Sequence, residues 1–216
     1  MIEAVIFDFD GVVADTMKDN CTAWQKAFEP YGFQLEAHEY YQLEGMGRFQ
    51  IAELIVARHN LDKSIVSDLV EFKEQYYKHN NTFRIYDGIE DIFRILADSN
   101  IPAAIVTGAS RARIGTHLSS QLSSQLSALI TADDVTHTKP HPEPYLKAVA
   151  LLGKVAGNCL VIENAVLGIQ SAKAAGCRCF ALQTTLEKED LAMADEIFAT
   201  HKDLLTKFEQ LFSTHK

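Results

Sequence analysis

The sequence lacks the features of membrane and secreted proteins. No apolar stretch reaches the ~18 residues that a membrane-spanning helix needs. The chain starts directly with a strand pattern that includes Glu3, and not with the charged and apolar segments of a signal peptide. Its four cysteines, at positions 21, 159, 177 and 179, do not have the spacing of a zinc site. We therefore expect reduced, buried thiols in a cytoplasmic protein.

Basic segments are also missing. The net charge of the 216-residue chain is −9, and no run of lysine and arginine is long enough to attract nucleic acid. Hydrophobic residues make up 47% of the chain and charged residues 23%, as in ordinary globular proteins. This length allows one substantial core plus a small insertion. We expect a small-molecule partner, without nucleic acid or membrane, and both a monomer and a dimer remain open.

Short apolar runs alternate with helical patterns along most of the chain. Runs that are apolar throughout, without polar alternation, are typical of parallel strands covered on both faces. The alternation predicts an α/β fold with a doubly wound, mostly parallel, Rossmann-like sheet. The predicted strands are 4–9, 101–107, 127–131, 159–163, 178–183 and 196–200, and the predicted helices between them are 88–98, 110–125, 142–152, 165–175 and 201–212.

One long segment interrupts this alternation. Between about 16 and 83 no convincing strand pattern occurs, and apolar residues recur at the i, i+3, i+4 spacing of helices. Helices alone between the first and second strands predict an inserted all-helical cap domain over residues 16–83. The catalytic α/β core would then consist of residues 1–15 and 84–216.

Polar residues stand where the predicted strands end, which is where ligands bind in open parallel sheets. Asp8 and Asp10 follow the first apolar run and are two apart, so they would face the same side of an extended strand. Two such carboxylates repel each other unless a cation or a shared proton intervenes. The second strand ends in Thr107, Gly108 and Ala109, where a hydroxyl and free N–H groups at a helix start would bind an anion.

The third and fourth predicted strands complete the pattern. Lys139 is followed by two prolines within three residues, which stiffen the backbone and can aim its ammonium group. Glu163 and Asn164 end the fourth strand. Each signal alone is weak, because helix-capping threonines and surface lysines are common. The order D-x-D, T-G, K-P and E-N at four successive strand ends is specific.

With these motifs, the chain resembles the haloacid dehalogenase-like superfamily of phosphotransferases, in particular the branch of β-phosphoglucomutase and small-molecule phosphatases. The matching stretches are DFDGVVADT, VTGAS, KPHPEPY and VIENAVLGIQSAKAAG, and the resemblance covers essentially the whole chain. It implies a Mg²⁺-dependent phosphohydrolase that acts on a small phosphorylated metabolite, such as a sugar phosphate, through an aspartyl-phosphate.

The resemblance also implies roles for individual residues. Asp8 would be the nucleophile, and Asp10 would protonate the leaving group and later deprotonate the attacking water. Thr107 and Lys139 would hold the phosphoryl oxygens, and the ammonium would neutralise the nucleophile. Hard oxygen ligands suit Mg²⁺. The implied metal site consists of Asp8, the backbone carbonyl of Asp10, Glu163 and Asn164.

A phosphosugar mutase like β-phosphoglucomutase is the main alternative. Such mutases hold the non-reacting phosphate with cap residues, and Arg48 and Lys73 match those positions. However, Asn20 stands where these mutases have a histidine, and Glu44 stands where they have a lysine. A glutamate repels a second anionic group, and the histidine of the mutases is missing. Both differences therefore favour a hydrolase. We expect the substrate to contact Gly108, Ala109, Glu44, Arg48 and Lys73.

Inorganic pyrophosphatase is a second alternative. Asn164 stands where most relatives have an aspartate ligand, which removes one negative charge. Our hypothesis is that Glu44 reaches the Mg²⁺ ion, directly or through water, and restores that charge. The pocket would then be small and would favour a small leaving group such as inorganic phosphate.

Two further readings are disfavoured. Dehalogenases of this superfamily do not keep an aspartate at the position of Asp10, since they have no alkoxide to protonate. A phospho-accepting receiver is a non-enzymatic reading, but receivers carry the acceptor on a later strand and have no cap.

Overall fold

Six strands form one parallel sheet in the computed structural model, which describes residues 1–212. The strand order is β3-β2-β1-β4-β5-β6, so the first strand lies in the middle and the chain winds outward in both directions. Every neighbouring pair is parallel. This arrangement confirms the predicted doubly wound α/β fold.

The strands lie close to the predicted runs, and ten helices are described. The strands are β1 (Ala4–Phe7), β2 (Ala103–Val106), β3 (Leu126–Ile130), β4 (Cys159–Glu163), β5 (Arg178–Leu182) and β6 (Glu196–Phe198). Among residues 1–212 the α-helices are α1 (Met17–Phe28), α2 (Ala37–Tyr41), α3 (Arg48–Arg58), α4 (Val66–Asn80), α5 (Ile89–Asp98), α6 (Arg111–His117), α7 (Ser120–Ser124), α8 (Glu143–Leu151), α9 (Val166–Ala174) and α10 (His201–Phe212).

The apolar core lies on both faces of the sheet. Successive side chains of a strand point to opposite faces, and in β1 Val5 and Phe7 pack into one apolar cluster while Ala4 and Ile6 pack into the other. Both faces are therefore buried, which explains why the strand sequences are apolar throughout and do not alternate.

Helices α1–α4 form an insertion between β1 and β2. They share an apolar cluster of their own, in which Trp24, Phe28, Ile55 and Leu69 are buried. This separate cluster supports the prediction of a cap domain, and the boundaries 16–83 stay a prediction. The last four residues of the predicted core segment, 213–216, lie outside the described residues.

The two connections between the sheet and the insertion run side by side. Ala14 forms an isolated antiparallel bridge with Ile85, and the Asp15 amide donates to the Arg84 carbonyl at 2.9 Å. The Asp15 carboxylate accepts hydrogen bonds from the Arg84 guanidinium and from the Tyr86 hydroxyl. The outgoing and returning segments are thus joined to each other beside the sheet.

The prediction of one helix over 110–125 is wrong. Helix α6 ends at His117, and the next residue, Leu118, is extended. The Ser119 hydroxyl accepts a hydrogen bond from the Leu122 amide and so begins α7. Leu126 belongs to β3 and not to a helical face. Serine competes for backbone hydrogen bonds and favours helix starts over helix interiors, which explains the break within this serine-rich stretch.

Among residues 1–212, no helix combines the length and the apolar character that crossing a membrane requires.

Candidate active site

The polar residues predicted from the strand ends meet at one edge of the sheet. Phe7, the last residue of β1, pairs with Ile105 of β2 and Ile162 of β4. The residues that follow are therefore neighbours, and the Asp8 amide donates to the Ile162 carbonyl at 2.9 Å. Asp8 and Asp10 lie just after the strand, not within it. The chain turns here towards the insertion, and as a result the carboxylates of Asp8 and Asp10 have different partners.

Lys139 joins two of the predicted acidic residues. Its Nζ lies 2.6 Å from Asp8 Oδ1 and 2.6 Å from Glu163 Oε1, and its side chain is buried. Burial lowers the pKa of the lysine, but the two carboxylates outweigh burial and the net shift is upward. Burial raises the pKa of Asp8 well above its usual value, Lys139 opposes this shift and Glu163 adds to it. The ammonium therefore offsets only part of the negative charge at this site.

The Glu163 carboxylate is fixed by four hydrogen bonds. Oε1 accepts from Lys139 and, at 2.6 Å, from the Tyr145 hydroxyl. Oε2 accepts from the backbone amides of Asn164 and Ala165 at 3.0 and 3.2 Å. Both oxygens are thus engaged within the protein, which orients Lys139 towards Asp8. Whether Glu163 also binds a metal directly stays a prediction.

Asn164 has the surroundings of a metal ligand. Its side chain is fully buried, and neither Oδ1 nor Nδ2 has a hydrogen-bond partner within residues 1–212. Buried polar atoms are rarely left without a partner. A Cβ on Gly11 would lie 2.2 Å from Asn164 Nδ2, so the glycine leaves room for this amide. The unpartnered amide oxygen and the buried carboxylates near it are hard oxygen donors. Such donors fit Mg²⁺.

Asp10 is held by a different set of residues. Its Oδ1 accepts from the Thr16 hydroxyl at 2.5 Å and from Asn20 Nδ2 at 3.2 Å. Its Oδ2 pairs with the guanidinium of Arg113. Arg113 was not identified from the sequence. The only available signal was its position in the first turn of the helix that follows the T-G motif.

Thr107 and the start of α6 lie where the sequence predicts an anion cradle, and anion binding there stays a prediction. Thr107 is buried, and its hydroxyl oxygen accepts from the Ala109 amide at 3.0 Å. The loop of the insertion covers this point, because a Cβ on Gly108 would lie 3.2 Å from the carbonyl oxygens of Gly45 and Met46. A side chain at position 108 would therefore require the backbone of this loop to shift by a few tenths of an ångström.

The predicted substrate-binding residues line one cleft between the core and the insertion. Together with Asp10 and Arg113, the cleft is lined by Gly108, Ala109, Glu44, Arg48 and Lys73. Its volume is about 30 Å³, which is close to the space of a single water molecule. With the insertion in this position, the cleft is too small to hold a sugar phosphate.

Glu44 and Lys73 are both buried among charged groups in this cleft. Burial raises the pKa of Glu44 to about 7, and the nearby Asp10 carboxylate adds to the shift. Burial lowers the pKa of Lys73, and Arg113 contributes to the decrease. Glu44 Oε2 is buried without a hydrogen-bond partner within residues 1–212. Its charged neighbours lie on the Asp10 side of the site, and its contact with a metal stays a prediction.

Comparisons with known proteins agree with this geometry. Residues 5–182 match the family described as haloacid dehalogenase-like hydrolase. A fructose-1-phosphate phosphatase of Escherichia coli is 29% identical over 181 residues, which are 80% of this chain and 92% of that protein. A bifunctional riboflavin kinase/FMN phosphatase of Arabidopsis thaliana is 26% identical over 206 residues, and the match spans 94% of this chain but only 52% of that relative.

A solved structure shares the fold over its whole length. The β-phosphoglucomutase of Clostridium difficile is 24% identical, with a TM-score of 0.81, and the match covers 99% of this chain and 100% of that one. The family match and the sheet topology confirm both the resemblance drawn from the motifs and the predicted enzyme class. The chain belongs to the haloacid dehalogenase-like hydrolases.

Proposed function

We propose that this protein is a Mg²⁺-dependent phosphatase that cleaves a small phosphorylated metabolite through an aspartyl-phosphate on Asp8. The observation that carries the proposal is that the two carboxylates have different binding partners. Asp8 is paired with Lys139, whereas Asp10 is held by Thr16, Asn20 and Arg113. Two carboxylates in different surroundings can perform the different tasks of nucleophile and acid–base group.

The proposed reaction has two steps. In the first, an Asp8 carboxylate oxygen attacks phosphorus, the bond from phosphorus to the leaving oxygen breaks, and protonated Asp10 gives its proton to that oxygen. In the second, Asp10 accepts a proton from a water molecule whose oxygen attacks the aspartyl-phosphate. Asp8 is released as a carboxylate, and inorganic phosphate leaves with the water oxygen.

Positive charge around the transferred group supports this reaction. Phosphoryl transfer depends mainly on positioning and on neutralising charge. Lys139 lies beside Asp8, and Thr107 lies at the end of the neighbouring strand. These groups would hold the phosphoryl oxygens. The covering loop at Gly45 and Met46 would exclude bulk water while the insertion is closed.

The metal would be held by Asp8, the backbone carbonyl of Asp10 and Asn164. This set supplies hard oxygen donors, and the unpartnered Asn164 amide is its best structural support. When bound, the ion would supply positive charge to the nucleophile and to the phosphoryl oxygens. Asn164 provides one negative charge less than an aspartate would, which predicts weaker metal binding.

A hydrolase is favoured over a mutase by the charges in the cleft. Arg48 and Lys73 would attract a second phosphate, whereas Glu44 lies among them and repels an anion once the pH exceeds its raised pKa of about 7. Lys73 also donates to Glu74 and to Asn20, so its charge is already partly used. The names of the relatives, an FMN phosphatase and a fructose-1-phosphate phosphatase, support a phosphomonoester substrate. Pyrophosphate remains a second candidate because Glu44 Oε2 is buried and unpartnered within the described part of the chain, as the hypothesis of a metal contact by Glu44 requires.

The test is phosphate release from a panel of esters in the presence and absence of Mg²⁺. The panel contains sugar phosphates, phosphoglycolate, FMN, nucleotides and pyrophosphate. We expect Mg²⁺-dependent release of phosphate from at least one phosphomonoester. Conversion of β-glucose 1-phosphate to glucose 6-phosphate in the presence of a bisphosphate would identify a mutase instead.

Asp8→Asn tests the nucleophile. We expect turnover to be lost while the circular dichroism spectrum stays the same. Asp98→Asn, at the exposed end of α5, is the matched control and should keep full activity. Activity retained by Asp8→Asn would exclude the aspartyl-phosphate mechanism.

A further inference from the structure

We propose that Arg113 is a positioning residue that, together with Asn20 of the insertion, orients the acid–base group Asp10. The inference rests on the proposed function and extends it to a residue that the sequence motifs do not include. It depends on the contacts that Arg113 makes with Asp10 and Asn20.

Three side chains form a closed ring of hydrogen bonds. Arg113 Nη2 donates to Asp10 Oδ2, and Arg113 Nη1 donates to Asn20 Oδ1 at 3.1 Å. Asn20 Nδ2 donates to Asp10 Oδ1 at 3.2 Å and closes the ring. Both oxygens of the Asp10 carboxylate are therefore held, and the plane of the carboxylate is fixed.

The amide of Asn20 has no freedom to rotate in this ring. Its Oδ1 accepts from Lys73 Nζ at 3.0 Å as well as from Arg113. Its Nδ2 donates to the Thr16 carbonyl at 3.1 Å as well as to Asp10. An amide has two acceptor sites and two donors, so all of its hydrogen-bonding capacity is used. Reversing the amide would lose all four bonds.

The ring connects the two parts of the molecule. Asp10 and Arg113 belong to the sheet side, in the turn after β1 and in α6, whereas Asn20 belongs to α1 of the insertion. If the insertion moves away, the contacts of Asn20 with its two partners separate. Asp10 would then keep Arg113 on Oδ2 and would lose one of the donors on Oδ1. The orientation of Asp10 therefore depends on one residue from each part of the molecule.

Arg113 is itself held in place. Its side chain is only 13% exposed, its backbone amide donates to the Ser110 hydroxyl at 3.3 Å, and its guanidinium lies 5.1 Å from the centre of the Tyr77 ring. The planar guanidinium can donate to two acceptors in a fixed geometry, which the single ammonium of a lysine cannot reproduce. An arginine at this position is thus suited to hold two acceptors at once.

A neighbouring arginine provides a matched control. Arg111 is two residues earlier in the same helix, its side chain is 52% exposed, and it pairs with Asp134. Within residues 1–212 it has no contact with Asp10 or Asn20 in the hydrogen bonds of the structure. Loss of Arg111 removes the same charge from the same helix without affecting the ring.

The experiment compares two esters that need the proton of Asp10 to different degrees. An alkyl phosphate has a poor leaving group that must be protonated, whereas p-nitrophenolate leaves without a proton. The quantity kcat/KM reports the transfer of the phosphoryl group to Asp8 for both esters. For Arg113→Ala we expect kcat/KM to fall about 10- to 100-fold with the alkyl phosphate, as part of the contribution of a general acid, and less than about 3-fold with p-nitrophenyl phosphate.

Further measurements distinguish a role of Arg113 in positioning Asp10 from a general structural role. Arg113→Lys should recover only part of the loss on the alkyl phosphate, and Arg111→Ala should match the wild type on both esters. In Arg113→Ala, p-nitrophenol should appear in a burst, because the second step also needs Asp10. Equal losses on both esters, or no loss, would overturn the inference while leaving the proposed function intact.

Thermal unfolding of each variant shows whether the fold persists. If Arg113→Ala does not fold, the same comparison is made with Arg113→Lys and Asn20→Ala. Each of these variants breaks a different part of the hydrogen-bonded ring, so together they test the inference. Absence of turnover by the wild type on every ester would instead reject the proposed function, and this inference with it.

Discussion

The Glu163 carboxylate occupies the space that a side chain on Gly168 would need. A Cβ added to Gly168 would lie 1.9 Å from Glu163 Oε1. Glycine is therefore required in the first turn of α9, and the reason is steric and not conformational. The glutamate that orients Lys139 packs directly against the backbone of this helix.

Gly168→Ala should disturb this packing and reduce both stability and activity. The carboxylate of Glu163 cannot shift without losing its buried partners, so we expect a loss of about 1–3 kcal/mol in the free energy of unfolding. Urea denaturation and initial rates measure the two effects. Gly115→Ala in α6 is the control, because a Cβ there meets no atom within 4 Å. A Gly168→Ala variant as stable and active as this control would contradict the prediction.

Lys139→Met should remove the cation between two buried carboxylates. Breaking a buried ion pair by removing one partner costs about 3–5 kcal/mol, and Asp8 and Glu163 would repel each other. We expect a large decrease in thermal stability and loss of turnover. Lys147→Met is the control, since Lys147 is 44% exposed and pairs with Glu143 on the surface, where ion pairs contribute at most about 1 kcal/mol. Similar losses of stability and turnover in both variants would show that the buried lysine contributes no more than a lysine on the surface.

Asn164→Asp should strengthen metal binding and lower the thermal stability of the metal-free protein. An added carboxylate raises the affinity for a divalent cation, so we expect roughly 10-fold less Mg²⁺ for half-maximal activity. In chelator the variant should unfold at a lower temperature than the wild type, since a further buried negative charge is uncompensated. Asn158→Asp, at the opposite end of β4, should change neither quantity. Unchanged Mg²⁺ dependence of both Tm and activity would remove Asn164 from the metal site.

Glu44 should make stability depend on pH. Its pKa is raised from 4.5 to about 7 in the folded protein, so the folded state holds a proton that the unfolded chain has lost between these values. The stabilisation is complete below pH 4.5 and is lost as the pH rises through about 7. The loss by pH 8 should be roughly 2–3 kcal/mol.

Urea unfolding between pH 5 and 8 in chelator measures this effect. Glu44→Gln lacks the titrating group, and its stability should approach and then exceed that of the wild type as the pH rises. Glu53→Gln, an exposed glutamate of α3, should follow the wild type throughout. Parallel curves for Glu44→Gln and the wild type would show that Glu44 does not titrate in this range.

The sheet and the strand-end residues were predictable from the sequence for clear physical reasons. Parallel strands buried on both faces are apolar throughout, and their carboxyl ends meet at one edge. Thr107, Lys139 and Glu163 could therefore be placed near Asp8 without coordinates. The prediction of one long helix after Thr107 was wrong because local serine capping overrode the apolar spacing.

Arg113 and the burial of Glu44 could not be predicted in this way. The contact of Arg113 with Asn20 and the burial of Glu44 depend on how the insertion packs against the core, and this packing joins residues far apart in the chain. Arg113 and Asn20 are 93 positions apart, and no local pattern relates them. The charge of Glu44 depends likewise on Asp10 across the cleft. Contacts between the insertion and the core are the part of the site that only the structure shows.

The paired connections beside the sheet have a consequence for the rate of turnover. Because Ala14 bridges to Ile85 and Asp15 binds both Arg84 and Tyr86, the two segments cannot bend independently of each other beside the sheet. Any movement of the insertion relative to the core would therefore bend both segments at once. In many enzymes such movements limit the release of product, and residues at this crossing would then affect the turnover number without touching the substrate.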